Sequence, residues 1–363
     1  MKLFTILFCC IVLALPVLSE DLVTAEEIAI VTMSGSGEVA FISIENETVI
    51  KTVDVNVPYP SFVETTPDGN TAVVVCESGH ICFIDTHTME CIKTLELLWG
   101  PEQHGITLQP NEFEGMCITP DGLALITEVN EHGQLFIIDT LTMELADTPR
   151  NIGDEPTRIV VKSDGSKAYY IEEGSIYYVD LLSSPVSNRL LIYEVLGEEY
   201  HEISGFDLVT NRESRAIISD SDNRIYMIDL NQRWSPILDE KLVDPERFTE
   251  PVSLKVSPTG TLAIVANGTD PSITFVAIDN DTLTIEETIE VGGPSESVAF
   301  TQNGQAAVVT IPQTSQVKII DVSNRQVRAT IGGELGLAPM GVTITTIDVE
   351  LLENQTPGGS TRD

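Results

Sequence analysis

Two stretches of the chain gather side chains able to do chemistry. Leu98 to Glu114 holds Glu102, His104, Glu112 and Glu114, and Gly197 to Ser204 holds Glu198, Glu199, His201 and Glu202. Several carboxylates with one imidazole are a donor set for a divalent cation. Their spacing matches no dedicated metal loop, and a chain with 56 Asp plus Glu places such residues in most of its loops by composition alone. No metal is therefore assigned, and a divalent cation is the one cofactor these residues leave open. Arg158 and Lys255 stand out for the opposite reason, because the chain has only 19 Lys plus Arg. Two cations brought together could hold a carboxylate or phosphate ligand; alternatively they neutralise Glu64, Glu114 or Glu296. Glu102, His104, Glu114, Arg158, His201 and Lys255 form the set of ligand-binding candidates.

Other chemistries find less support. There is no Gly-x-Ser-x-Gly nucleophile turn, and no glycine is followed by lysine as a phosphate loop requires. Beyond the first residues, four cysteines remain: Cys76, Cys82, Cys91 and Cys117. A hairpin turning at Thr86-His87 sets Cys82 opposite Cys91; a Cys76 to Cys82 bridge is an equal option, and spacing does not choose. Ser219-Asp220-Ser221-Asp222-Asn223 and Asp279-Asn280-Asp281 look like calcium loops but lack the Gly and distal Glu, so hairpin turns explain them better. Asn46, Asn267, Asn280 and Asn354 each open an Asn-x-Thr sequon.

The strands and turns that carry these residues form a repeat. An apolar strand ends in an acid at Glu45, Asp85, Asp139, Asp180, Asp229, Asp279 and Asp321. These are 40 to 54 residues apart, about 46 on average, the period of a four-stranded propeller blade. A glycine turn precedes the second strand at Pro67-Asp68-Gly69, Pro120-Asp121-Gly122, Ser163-Asp164-Gly165, Pro258-Thr259-Gly260 and Gln302-Asn303-Gly304, with a worn copy at Asn211-Arg212-Glu213. Second and third strands, such as Thr71-Ala72-Val73-Val74-Val75 and Leu135-Phe136-Ile137-Ile138, are apolar on both faces and must be covered on both. Sheets stacked in a ring do this. The expected fold is an all-β, seven-bladed propeller of four-stranded antiparallel blades. The first copy lacks a first strand, and Pro339-Met340-Gly341-Val342-Thr343-Ile344-Thr345 is a first strand with nothing after it. It should complete the first blade and close the ring. First-strand residues Ser61, Glu64, Glu114, Arg158, Ser253, Lys255 and Glu296 then approach the axis.

The blades resemble the YVTN-type propeller repeat, in Ala29-Ile30-Val31-Thr32-Met33, Ala263-Ile264-Val265-Ala266-Asn267 and Ala307-Val308-Val309-Thr310-Ile311. The resemblance runs through nearly the whole chain after its first residues, although no copy keeps the full tetrapeptide. It implies a surface-layer-like or lactonase-like seven-bladed propeller. Its relatives include adhesion modules, lactonase-like enzymes and propeller halves of redox enzymes, so fold alone does not set function.

Met1-Lys2, an apolar run from Leu3 to Leu15, and Val17 and Ser19 before Glu20 read as a signal peptide, too short for a membrane span. The expected organisation is signal peptide 1–19, one propeller over 20–353 and a tail over 354–363. A formal charge of −37 opposes binding to nucleic acid. The reading is a secreted, periplasmic or cell-surface protein with no membrane span after cleavage. It acts as a non-enzymatic scaffold for a protein or glycan; the alternative is a lactonase-like hydrolase, or other small-acid enzyme, at the channel mouth.

Overall fold

The computed structural model describes residues 25–97, 113–129, 133–172, 174–183, 187–192, 195–196, 202–244, 246–247, 249–333 and 335–348. The expected signal segment and tail lie outside them. Seven antiparallel sheets follow one another along the chain. From the inside outward, blade 2 is Pro60–Thr65, Thr71–Cys76, His80–Asp85 and Glu90–Glu96, and the same order holds round the ring. The other inner strands are Phe113–Ile118, Thr157–Val161, Ile203–Leu208, Pro251–Val256 and Val298–Phe300 for blades 3 to 7. Blade 3 departs at its rim, where two short strands, Glu144–Leu145 and Arg150–Asn151, share the outer edge of Gln134–Asp139.

The ring closes as expected. Pro339–Asp348 pairs antiparallel with Ala25–Met33 and forms the inner strand of blade 1, ahead of Glu38–Ser43 and Thr48–Asp54. Each inner strand touches the inner strand of the next blade, the seventh touching the first.

The doubly apolar strands are buried as their sequence requires. Val73, Val74 and Val75 are all fully buried, because alternate residues face opposite neighbours. Val74 joins Ile28, Ile30 and Phe41 between blades 1 and 2, whereas Val73 and Val75 join Phe136 and Ile126 between blades 2 and 3. One such cluster fills each of the seven blade contacts.

The repeated acids are turn residues. Asp85 Oδ1 accepts from the backbone N–H groups of His87 (2.9 Å) and Thr88 (2.8 Å), and Asp139 repeats this with Leu141 and Thr142. The calcium-like stretches are structural too: Asp220 accepts from Asp222 N, Arg224 N and the Tyr226 hydroxyl, while Asp281 is held by Arg212 and Arg215.

One local register differs from expectation. The turn after Asp85 has four residues, Thr86 to Met89, with Met89 buried at φ 51°. Asp85 therefore pairs with Glu90 and Ile84 with Cys91, and a bulge sets Cys82 opposite Thr94. Cys82 and Cys91 are bridged diagonally, with Cα atoms 6.5 Å apart; Cys76 and Cys117 are free and buried. No helix among the described residues is long and apolar enough to cross a membrane.

Candidate functional site

Antiparallel pairing puts the links between blades, and the hairpins joining second to third strands, on one face of the ring. An axial cavity of about 460 Å³ is lined by the inner strands of blades 1, 2, 3, 4, 6 and 7 and the residues leading into them, with Glu77 of a blade 2 hairpin among its lining residues. Ser61, Glu64, Glu114, Arg158, Ser253, Lys255 and Glu296, all expected near the axis, line it together. Of the six ligand candidates, Glu114, Arg158 and Lys255 thus share one site; Glu102, His104 and His201 lie outside the described residues.

Bulges in the inner strands build the wall. At the bulge in blade 2 the register moves from Pro60 opposite Cys76 to Phe62 opposite Val75, and blades 3, 4, 5 and 6 carry comparable shifts. A bulge leaves main-chain groups without a ladder partner. Threonine satisfies some of them: Thr32 of blade 1 donates to Ser61 O of blade 2 (3.0 Å), and Thr310 of blade 7 donates to Met340 O of blade 1 (2.7 Å). The Thr of the repeat signature is therefore an inter-blade clasp. At the corresponding positions blade 4 has Ile171, which has no hydroxyl, and blade 5 has Ser219, whose hydroxyl meets that of Ser204 instead.

Arg158 replaces both clasps. Its Nε donates to Ser204 O of blade 5 (2.9 Å) and its Nη2 to Val252 O of blade 6 (3.2 Å), so one guanidinium ties together blades 4, 5 and 6. These carbonyls are the counterparts of Ser61 O and Met340 O. Arg158 itself sits in the blade 4 bulge at φ 48°, a conformation uncommon for a residue with a side chain.

Further along the axis, Glu64, Cys117, Asp207, Lys255 and Thr343 hold the same place on the inner strands of blades 2, 3, 5, 6 and 1, and of these Glu64, Lys255 and Thr343 line the cavity. Lys255 is 3.7 Å from Asp207, and its side chain, 45% exposed, meets the lumen while the ring encloses it. Asp207 chiefly, with Glu64 adding, holds the ammonium above its ordinary pKa against the cost of enclosure. The sequence reading missed Asp207 as this partner; the signal for it was its place two residues before the turn, where Glu64 and Lys255 also stand. Asp207 further accepts from the backbone N–H of Val256 (2.9 Å), which fixes it between blades 5 and 6. Burial pushes the Glu64 carboxyl up, with Lys255 and the Thr343 hydroxyl opposing. Glu296 is also raised, by burial first and by Glu114 last, with Arg158 pulling it down between them. Burial pushes the Cys117 thiol far up, away from a reactive thiolate.

Among the described residues, no three His, Cys, Asp or Glu stand together as a metal site would need. Sequons divide clearly. Asn46 and Asn280 are exposed in turns between third and fourth strands, whereas Asn267 is fully buried and donates to Ser272 and Thr274.

No family model and no curated protein matches the chain. Solved structures do match. A putative 6-phosphogluconolactonase from Bacteroides uniformis is similar at TM-score 0.69 and 14% identity, over 88% of this chain and 100% of that one. A functionally unknown protein from Desulfotomaculum acetoxidans aligns at 0.68 and 12%, over 87% and 98%. AztD from Citrobacter koseri aligns at 0.63 and 13%, over 89% and 99%. At such identities the likeness is one of fold. The chain is a seven-bladed β-propeller.

Proposed function

We propose that the protein is a secreted, non-enzymatic propeller that binds a protein or glycan, at the cell surface or in the periplasm, through the face carrying the links and hairpins. The observation that carries this reading is that both cations the described residues bring to the axial cavity are engaged by the ring: Arg158 by two main-chain carbonyls and Lys255 by Asp207. An anion-binding or carbonyl-polarising role would have to share the N–H groups that these contacts leave. Secretion is supported by the Cys82–Cys91 disulfide, a bond kept in oxidising compartments.

A lactonase-like hydrolase is the second reading. Its support is the convergence of Glu114, Arg158 and Glu296 in a cavity sized for a small acid, with the fold likeness beside it. A divalent cation at the links would belong to this reading. The chain expressed from Glu20 should bind immobilised glycans or surface proteins, contain no stoichiometric metal by elemental mass spectrometry, and leave a panel of sugar lactones at their buffer rates. Lactone hydrolysis that falls in a Glu114→Gln variant would replace the first reading with the second, and bound metal would make Glu102 and His104 the first positions to change.

A further inference from the structure

We propose that the cavity mouth is a docking site for an extended segment of a partner protein, whose Lys or Arg side chain enters the lumen between Glu296 and Glu114 while apolar neighbours rest on Tyr59 and Leu337. The proposal rests on the protein-binding reading and names the chemistry of that partner.

Tyr59 and Leu337 are 56% and 60% exposed on the links that flank the first hairpin of blade 1, on the same face as Glu77. That hairpin, Ser34-Gly35-Ser36-Gly37, is built of small residues only. It is held between the two links: Gly35 N donates to Leu337 O (2.9 Å), Ser34 N to Ala338 O (3.0 Å), and Val55 N to Gly37 O (3.2 Å). Leu337 borders this run of Ser and Gly directly, and Tyr59 stands at the far end of the other link, where its carbonyl accepts from Glu77 N of the blade 2 hairpin (3.0 Å), so an extended chain crossing the mouth can meet both. Tyr59 and Ala338 both hold positive φ, 59° and 53°, so these links are fixed in turns that most residues avoid.

Charge selects the occupant. Among the described residues the lining has four carboxylates, Glu64, Glu77, Glu114 and Glu296, against Arg158 and Lys255, and Asp207 offsets Lys255 from just outside. The Glu296 side chain accepts no hydrogen bond from any described residue. A lumen with excess negative charge, in a chain of formal charge −37, attracts cations and repels acids. A cationic side chain meeting Glu296 would gain a charge-assisted hydrogen bond in partly desolvated surroundings.

A random peptide library displayed on phage, selected against the immobilised chain from Glu20, tests this. Selected peptides should carry Lys or Arg beside an apolar residue. Their affinity should fall about tenfold or more in Glu296→Gln and in Tyr59→Ser, and stay unchanged in Leu141→Ser, which alters a 90% exposed residue on the opposite face. Melting curves of each variant keep loss of binding apart from loss of fold. No enrichment, enrichment of acidic or uncharged peptides, or binding indifferent to Glu296→Gln overturns the proposal. So does a dimer in analytical ultracentrifugation that Tyr59→Ser dissolves, since the face would then be covered by a second copy. Failure here beside a positive glycan or surface-protein result leaves the scaffold reading standing and removes only this partner.

Discussion

Arg158 combines a positive φ with two main-chain acceptors on two other blades. Removing the guanidinium strands Ser204 O and Val252 O near the lumen, and hydrogen bonds from a charged donor contribute about 1.5–3 kcal/mol each, part of which lumen water restores. Arg158→Ala should therefore lower stability in urea by about 2–4 kcal/mol. Arg158→Lys should recover less than half, because a point charge cannot span the two carbonyls as a planar fork does. A variant as stable as the natural chain would return Arg158 to the ligand candidates. Glu296 gives a prediction of opposite sense. Its folded pKa lies above the ordinary 4.5, so the folded state holds its proton more tightly. Its contribution is full below that value and is lost as pH rises through the raised one. Glu296→Gln should thus melt above the natural chain at pH 7, with the gap narrowing towards pH 4.5. Both residues could be named from sequence as axial; that Arg158 clasps carbonyls could not, because its acceptors are backbone atoms 46 and 94 residues away.

Among the elements, the second strands carry the clasps and the last strand carries closure. Thr32→Val keeps shape but removes both the donor to Ser61 O and the acceptor of the Gly341 N–H; it should cost about 2–4 kcal/mol, the penalty of two polar groups left unsatisfied. Ending the chain before Pro339 removes the inner strand of blade 1 and exposes the Ile28–Ile30 edge, so the melting temperature should drop sharply or cooperative unfolding disappear. An unchanged melt would mean that closure adds nothing. Close approach of inner strands also constrains sequence: a Cβ at Gly115 would stand 2.9 Å from Ile159 N. The strand pattern was legible because burial on both faces forces apolar residues at every position. The hairpin at Cys82 and Cys91 was misjudged in register because turn length depends on Met89 finding an apolar pocket, which local spacing does not reveal.

For the whole molecule, a formal charge of −37 means self-repulsion that folding concentrates. Many of the described basic side chains are already paired with acids, as Arg215 is with Asp229 and Asp281 and Arg247 with Asp270 and Glu290, so the surplus is carboxylate. Raising sodium chloride from about 10 mM to about 500 mM shortens the Debye length from about 30 Å to a few ångströms and should raise the melting temperature by several degrees. A melt independent of salt would show that the surplus is dispersed too widely to matter. The same surplus, focused by the lumen, favours a basic partner at the mouth.

The number of blades, their order, the closing strand and the axial placement of Arg158, Lys255 and Glu296 are all legible in the residues alone. These follow from periodicity, two-faced burial and turn glycines, which are local or repeated signals. What the axial charges do emerges only when the strands are assembled. Arg158 meets carbonyls of two later blades and Lys255 meets Asp207, and both contacts exist only once seven inner strands surround one axis. Tyr59 and Leu337, far apart in the chain, likewise come to one face, beside the hairpins of adjoining blades, only because the last strand returns to the first blade.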